Sequence, residues 1–260
     1  MHGMNGWMRR LCRFLAASVL LLASSAALSA EPLTVAVAAN VKYAFADLQQ
    51  EFTRQTGIPV QAAFGSSGKL TAQIESGAPF DLFLSADMKY PAALYARKLA
   101  TAAPKVYANG VLVLWTVKPL DLTRGLKVLT DPAVQKIAIA NPALAPYGRE
   151  AVRALDHLGL RAAVEGKLVY GESISQTSQY IDSGAADAGF TAKSIVLAPS
   201  VQGKGHWVEV PRDSYQPIAQ GVVILKYGED THAKAAHRFV EFLASPAART
   251  IFEKYGYVLP

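Results

Sequence analysis

Cysteine is almost missing from this chain. The single one, Cys12, lies within the first thirty residues, so the rest of the chain has no thiol. That excludes a disulfide framework and thiol chemistry from residues 31–260. Cys12 also precedes the apolar stretch Phe14 to Ala23, the wrong place for a lipid-anchoring cysteine. Massed charge is missing as well. The net charge is +6, but Arg9, Arg10 and Arg13 fall in the first thirty residues with no acid, so the remainder carries +3. Its basic residues are scattered, and nucleic-acid binding, which needs a basic patch, is not expected. After residue 30 no apolar run approaches twenty residues, so no later segment is expected to cross a membrane. Catalytic signatures are missing too: there is no G-x-S-x-G, no complete Walker A and, among five histidines, no H-E-x-x-H. His232 and His237 stand five apart, off a common helix face, and read as solvated surface histidines.

What is present begins with a leader. Arg9, Arg10 and Arg13 form a basic region, Phe14 to Ala23 an apolar stretch broken by Ser18, and Ser24 to Ala30 a small-residue run. That is the layout of a secretory signal peptide, cleaved between Ala27 and Glu31, and the apolar stretch is short for a membrane anchor. Residues 1–30 are therefore read as signal peptide and the mature protein as exported. An exported chain without disulfides rests on core burial, for which about 230 residues suffice as one large or two small domains.

Beyond the leader, strand-like and helix-like segments alternate. Leu33 to Ala38 reads as a buried strand. Val41, Phe45, Leu48 and Phe52 follow at spacings of four, three and four, one face of a helix with Asn40 at its N-cap and Gly57 ending it. Ile58 to Phe64 is a second strand, a helix with Leu70 and Ile74 inward follows, and Phe80 to Leu84 is a third strand before a short helix through Pro91. This order implies a parallel sheet. Val111 to Val117, Ile137 to Ala140, Leu168 to Tyr170 and Ala185 to Thr191 suggest a second set of strands. Helices with Val152, Leu155 and Leu158 on one face, and with Tyr180 and Ile181, lie between them. Trp207 to Val210 reads as a connector, Ile218 to Leu225 as a strand, Ala235 to Leu243 as a helix, and Ser245-Pro246 caps a final helix. The fold class is α/β, with two Rossmann-like lobes. Residues 31–110 plus 212–260 form lobe 1 and residues 111–211 form lobe 2.

Four strand-to-helix junctions carry small, uncharged, hydrogen-bonding residues: Ala38-Ala39-Asn40, Phe64-Gly65-Ser66-Ser67-Gly68, Leu84-Ser85-Ala86-Asp87 and Asn141 to Gly148. Ligands of open α/β sheets bind beyond the carboxyl ends of the strands, where these junctions lie. Helix N-termini there present unpaired N–H groups and positive dipole ends, which hold an anion without a cation. The groups on offer are the Asn40 amide, the Ser66 and Ser67 hydroxyls, the Ala86 N–H, the Tyr147 hydroxyl and the N–H near Ile174. All donate, so they suit a tetrahedral dianion, and a protonated oxyanion would leave its hydroxyl unpaired. Plainer roles exist for each. Asn40, Ser66 and Ser67 serve as ordinary helix caps, Tyr147 as a surface aromatic, and Asp87 and Glu172 as dipole-pairing residues at helix starts. Arg149 pairs with a carboxylate or helps close the cleft. Ser66 to Lys69 matches S-x-x-K, the start of a serine acyl-enzyme motif, but its S-D-N and K-T-G partners are missing.

The segments Ala38-Ala39-Asn40, Phe64 to Leu70 and Gly77-Ala78-Pro79-Phe80-Asp81-Leu82-Phe83-Leu84-Ser85-Ala86-Asp87, with the tail Phe252 to Tyr257, carry a resemblance. They resemble the type II periplasmic solute-binding proteins that serve ABC importers as molybdate receptors. The resemblance implies two lobes with a ligand cleft between them, capture of molybdate and tungstate, no cofactor, no catalysis, molybdenum held only within the bound oxyanion, a membrane permease as partner, and a monomer. It implies Asn40 as the first-loop polar residue, where many members have serine. It implies Ser67 as the second-loop serine and Ile174 as the aliphatic residue giving its backbone N–H, and it matches Ala86 to the family's Ser-Ala-Asp segment. Some members place a binding tyrosine where this chain has about Ala192. Others use an Ala-Pro-Tyr-Gly loop, and that assigns the tyrosine to Tyr147. A receptor for sulfate or another oxyanion, and an exported serine acyl-transfer enzyme using Ser66 and Lys69, are the alternatives.

Overall fold

The computed structural model describes residues 31–260. The signal-peptide reading of residues 1–30 lies outside the described residues. Leu33–Ala38 is strand β1, Val60–Gly65 β2 and Leu82–Leu84 β3, with helices α1 (Lys42–Thr56), α2 (Ser67–Glu75) and α3 (Lys89–Ala96) after each. β4 (Lys105–Gly110) and β5 (Leu112–Thr116) follow with one residue between them. Then come β6 (Ile137–Ala140), α4 (Pro146–His157), β7 (Leu168–Gly171), α5 (Ile174–Asp182), β8 (Ala188–Ala192), β9 (His206–Glu209) and β10 (Ile218–Ile224). Helices α6 (Lys226–Leu243) and α7 (Pro246–Lys254) close the chain.

The strands form two five-stranded sheets, ordered β2-β1-β3-β10-β4 and β7-β6-β8-β5-β9. Each is mixed rather than wholly parallel. β1 runs parallel to β2 and β3, and β6 parallel to β7 and β8. β10 is antiparallel to both its neighbours, and so is β5. The parallel core is the part written by the βα alternation. The antiparallel strands enter where the chain passes between sheets, at Val111 and again between β9 and β10, and no local pattern announces their direction.

Several segments differ from the sequence reading, and helix α6 begins at Lys226, earlier than the Ala235 read from sequence. Trp207 to Val210 is not a connector: β9 is an edge strand that pairs Trp207 with Trp115 of β5. β4 alternates poorly between buried and exposed residues and has no strand signature in the sequence. On α4 the inward face is Tyr147, Ala151, Ala154 and Leu155. Val152 is only half-buried, and Leu158 lies just beyond the helix, exposed. Leu155 is inward as the sequence reading has it, and small alanines beside it let α4 lie close to its sheet.

Burial of α1 follows its spacing. Ala44, Phe45, Leu48 and Phe52 are fully enclosed, each large side chain contributing about 1.5–3 kcal/mol. Phe52 meets Phe239 of α6 edge-on with centroids 4.9 Å apart. Gly57 ends the helix in the left-handed conformation (φ 72°), a place a glycine fills without strain. The parallel pairing of β2, β1 and β3 sets their carboxyl ends in a row, and the loops after them share one pocket with those after β6 and β7.

Candidate functional site

Five residues from five different strand ends line one small pocket: Asn40, Ser67, Ala86, Tyr147 and Ile174. Asn40 sits in the 3-10 turn Ala39–Val41 after β1. Ser67 is the first residue of α2 and Ile174 the first of α5. Tyr147 follows the N1 proline of α4, and Ala86 lies in the turn after β3. The opening N–H groups of such turns and helices have no partner inside the helix. No charged side chain lines the pocket.

Each polar group has a defined direction. The Ala86 N–H donates to Ser67 Oγ at 3.0 Å. That bond fills one lone pair of the serine and leaves its hydrogen to donate elsewhere. The sequence reading offered the Ala86 N–H to the ligand, whereas in this structure it is engaged with Ser67. Ser66 is the N-cap of α2, its Oγ accepting from the Lys69 N–H at 3.4 Å.

Asn40 departs further from its sequence reading. It does not cap α1, since Val41 holds the N-cap position without a side-chain bond. Its Nδ2 donates to Gln220 Oε1 at 2.9 Å and to the Tyr257 hydroxyl at 3.1 Å. Its Oδ1 is buried without a hydrogen-bond partner. The side chain therefore lines the pocket with its hydrogens turned away, and its free polar atom is an acceptor.

Tyr147 is almost wholly buried and its hydroxyl accepts from Gln220 Nε2 at 3.2 Å. Burial, reinforced by Tyr257 and Tyr215, holds its pKa well above the ordinary tyrosine value. It stays a neutral hydroxyl able to donate. Ala192, the alternative place for a tyrosine, is buried in β8 and is not among the residues lining the pocket.

The sheets also touch across the rims of the pocket. Arg149 Nη2 lies 2.6 Å from Asp87 Oδ2, and Lys69 Nζ lies 2.5 Å from Glu172 Oε1. The Gly68 N–H donates to the Leu144 carbonyl at 2.9 Å, and the Tyr90 hydroxyl to the Ala143 carbonyl at 3.0 Å. Asp87 keeps the helix-start role read from sequence, Oδ1 accepting from the Tyr90 N–H at 3.2 Å, and adds the pair with Arg149. Lys69 turns its amine to Glu172, so the S-x-x-K arrangement lacks its amine at Ser66. Among the described residues no group of three or more His, Cys, Asp or Glu is placed to hold a metal ion, and no helix is long and apolar enough to cross a membrane.

Gln220, Tyr107 and Tyr257, which back this wall, were not singled out as site residues. The signal for Gln220 was a lone polar residue inside the apolar run Ile218 to Leu225, followed by glycine. For the tyrosines there was no local signal, since their hydroxyls meet Gln220 and Asn40 only in the folded chain.

Two facing α/β sheets with polar helix starts around a small uncharged pocket define a two-lobed receptor for a small solute. The chain belongs to the bacterial extracellular solute-binding proteins, whose family pattern matches residues 33–258. It is 41% identical over 239 residues to the molybdate-binding protein ModA of Azotobacter vinelandii, covering 92% of this chain and 94% of that one. It is 42% identical over 226 residues to the protein of the same name from Rhodobacter capsulatus, with 86% of each covered. Among solved structures it is similar to the periplasmic molybdate-binding protein of Azotobacter vinelandii, at a TM-score of 0.82 and 36% identity, covering 88% of this chain and 99% of that one.

Proposed function

We propose that this protein is the periplasmic receptor of an ABC importer and that it captures molybdate, with tungstate, and delivers it to a membrane permease. One observation carries the reading: residues from five separate strand ends meet in a single small pocket with no charged lining. The names of the relatives supply the identity of the oxyanion. The donors are the Ser67 and Tyr147 hydroxyls and the N–H groups that open the turn at Asn40 and the helix at Ile174. Ala86 acts through Ser67, aligning its hydroxyl.

Lobe 1, residues 31–110 with 212–260, meets the anion first. Lobe 2, residues 111–211, then closes and adds Tyr147 and Ile174, a hinge closure of a common kind. Arg149–Asp87 and Lys69–Glu172 draw the rims together. Each hydrogen bond to the charged ligand contributes about 1.5–3 kcal/mol. Several of them offset desolvation and closure and leave a Kd between about micromolar and nanomolar.

Asn40 changes one part of the selectivity argument. A wall with the acceptor Oδ1 has a place for a protonated oxygen, so exclusion of hydrogen phosphate does not come from a lack of acceptors. Discrimination rests on anion size, because a smaller tetrahedron does not reach all the donors at once.

Thermal unfolding with molybdate tests the reading. At a hundred times Kd the ligand adds about 2.7 kcal/mol, which raises Tm by about 5–10 °C for a chain of this size. A Tm unmoved by millimolar molybdate rejects it.

A further inference from the structure

Gln220 is fully buried on β10, at a register shift between Gln220 and Gly221. Such bulges turn a side chain out of the ordinary alternation. Its amide bridges the two sides of the pocket. Oε1 accepts from Asn40 Nδ2 at 2.9 Å and from the Tyr107 hydroxyl at 2.8 Å. Nε2 donates to the Tyr147 hydroxyl at 3.2 Å. Asn40, Tyr107 and Tyr257 belong to the first lobe and Tyr147 to the second, so this bond is made across the cleft.

The direction of the chain is fixed at its far end. The Tyr257 hydroxyl donates to the Asn40 carbonyl at 3.0 Å, which leaves its lone pair for Asn40 Nδ2. Asn40 must then present hydrogens to Gln220, and Gln220 must present Oε1 to them. That leaves Nε2 for Tyr147. A hydroxyl has one hydrogen and two lone pairs, and Nε2 occupies a lone pair. We propose that Gln220 is a positioning residue that sets the polarity of the anion site, filling the Tyr147 oxygen so that the Tyr147 hydrogen is delivered to the bound anion. The turned amide would place Nε2 against the Asn40 hydrogens and draw the Tyr147 hydrogen away from the pocket. The inference rests on the reading of Tyr147 as an oxyanion ligand.

Glutamate at this position reverses the chain without changing its shape. A carboxylate only accepts, so it takes the Tyr147 hydrogen for itself. A protonated carboxyl group donates to Tyr147 and accepts from Asn40, as the amide does. Burial raises the pKa of such a group. The titratable groups facing position 220 are Tyr107, Tyr147 and Tyr257, each pushed above the ordinary tyrosine value chiefly by burial, so none of them titrates near neutral pH.

The test is calorimetric titration of molybdate into wild type, Gln220→Leu, Gln220→Glu, Tyr147→Phe and Tyr147→Phe/Gln220→Leu, from about pH 8 to about pH 5.5. Wild type is expected to bind with little change over this range. Gln220→Leu is expected to bind about tenfold more weakly at every pH, and to cost nothing further when Tyr147 is already phenylalanine. Gln220→Glu is expected to be weaker still at the alkaline end and to recover toward wild type as the pH falls. A Gln220→Leu loss of the same size with and without the Tyr147 hydroxyl overturns the proposal, as does unchanged binding by Gln220→Leu. If Gln220→Glu fails to fold, the leucine pair still decides. A wild type that does not bind molybdate refutes the function, whereas a binding wild type without Gln220–Tyr147 coupling refutes only the positioning role.

Discussion

A β-carbon built on Gly110 would stand 2.0 Å from the hydroxyl oxygen of Tyr147. The same carbon would lie 2.6 Å from Gln220 Nε2. Gly110 ends β4 and pairs with Ile218 of β10, one step before the chain passes to the other sheet. Its missing side chain is what lets the Tyr147 hydroxyl reach Gln220.

Gly110→Ala therefore pushes the Tyr147 hydroxyl away from its bond. Overpacking of this kind costs about 1–3 kcal/mol. The expected result is molybdate binding weakened by roughly tenfold or more, read by calorimetry on a folded protein. An alanine variant that binds as wild type does removes Tyr147 from the ligand set.

Ser67→Ala removes a hydroxyl that the Ala86 N–H orients. A hydrogen bond to a charged ligand is lost, so affinity is expected to fall by about 1.5–3 kcal/mol while the circular dichroism spectrum stays unchanged. Equal affinity would remove the Ser67 hydroxyl from the ligand set.

Tyr147→Phe is expected to weaken binding, and Ala192→Tyr is expected not to restore it. Ala192 is buried in β8 and does not line the pocket. Full restoration by the added tyrosine would place the anion elsewhere.

Alkaline pH gives a check with a definite sign. Burial raises the pKa of Tyr147 in the folded state. The unfolded chain releases this proton first as pH rises, so the folded state loses stability above the ordinary tyrosine pKa of about 10. Below that value the hydroxyl stays protonated, and affinity for molybdate is expected to be level from neutral to about pH 9. A fall in affinity between these limits would mean that a group with a lower pKa holds the anion.

The rim pairs are expected to act on closure rather than on contact with the anion. Arg149 and Asp87 are partly buried, and Lys69 and Glu172 are about half exposed, so Arg149→Ala should matter more than Lys69→Ala. Small-angle scattering with molybdate bound should show Arg149→Ala slightly more open than wild type, with the calorimetric affinity reduced by roughly threefold. An unchanged scattering curve together with an unchanged Kd would leave the pair without a role in closure.

Much of this was legible in the chain. The α1 face, the Gly57 stop and the Ser245 cap with Pro246 at N1 follow local rules and stand where those rules put them. The five pocket residues were readable because strand-to-helix junctions share one rim of an α/β sheet. What stayed hidden depends on partners far away in sequence. Asn40 reads as a cap from its neighbours, but its hydrogens go to Gln220 and Tyr257, 180 and 217 residues on. β9 looked like a connector because its strand character comes from pairing with β5. The direction of β10 was set by the return crossing, which no periodicity records.

The most direct measurement is calorimetric titration of the purified protein with molybdate, tungstate, sulfate and phosphate in separate runs. The account predicts a single site, micromolar or tighter for molybdate and tungstate, with sulfate and phosphate weaker by at least about tenfold, or 1.4 kcal/mol. Sulfate bound as tightly as molybdate would contradict it.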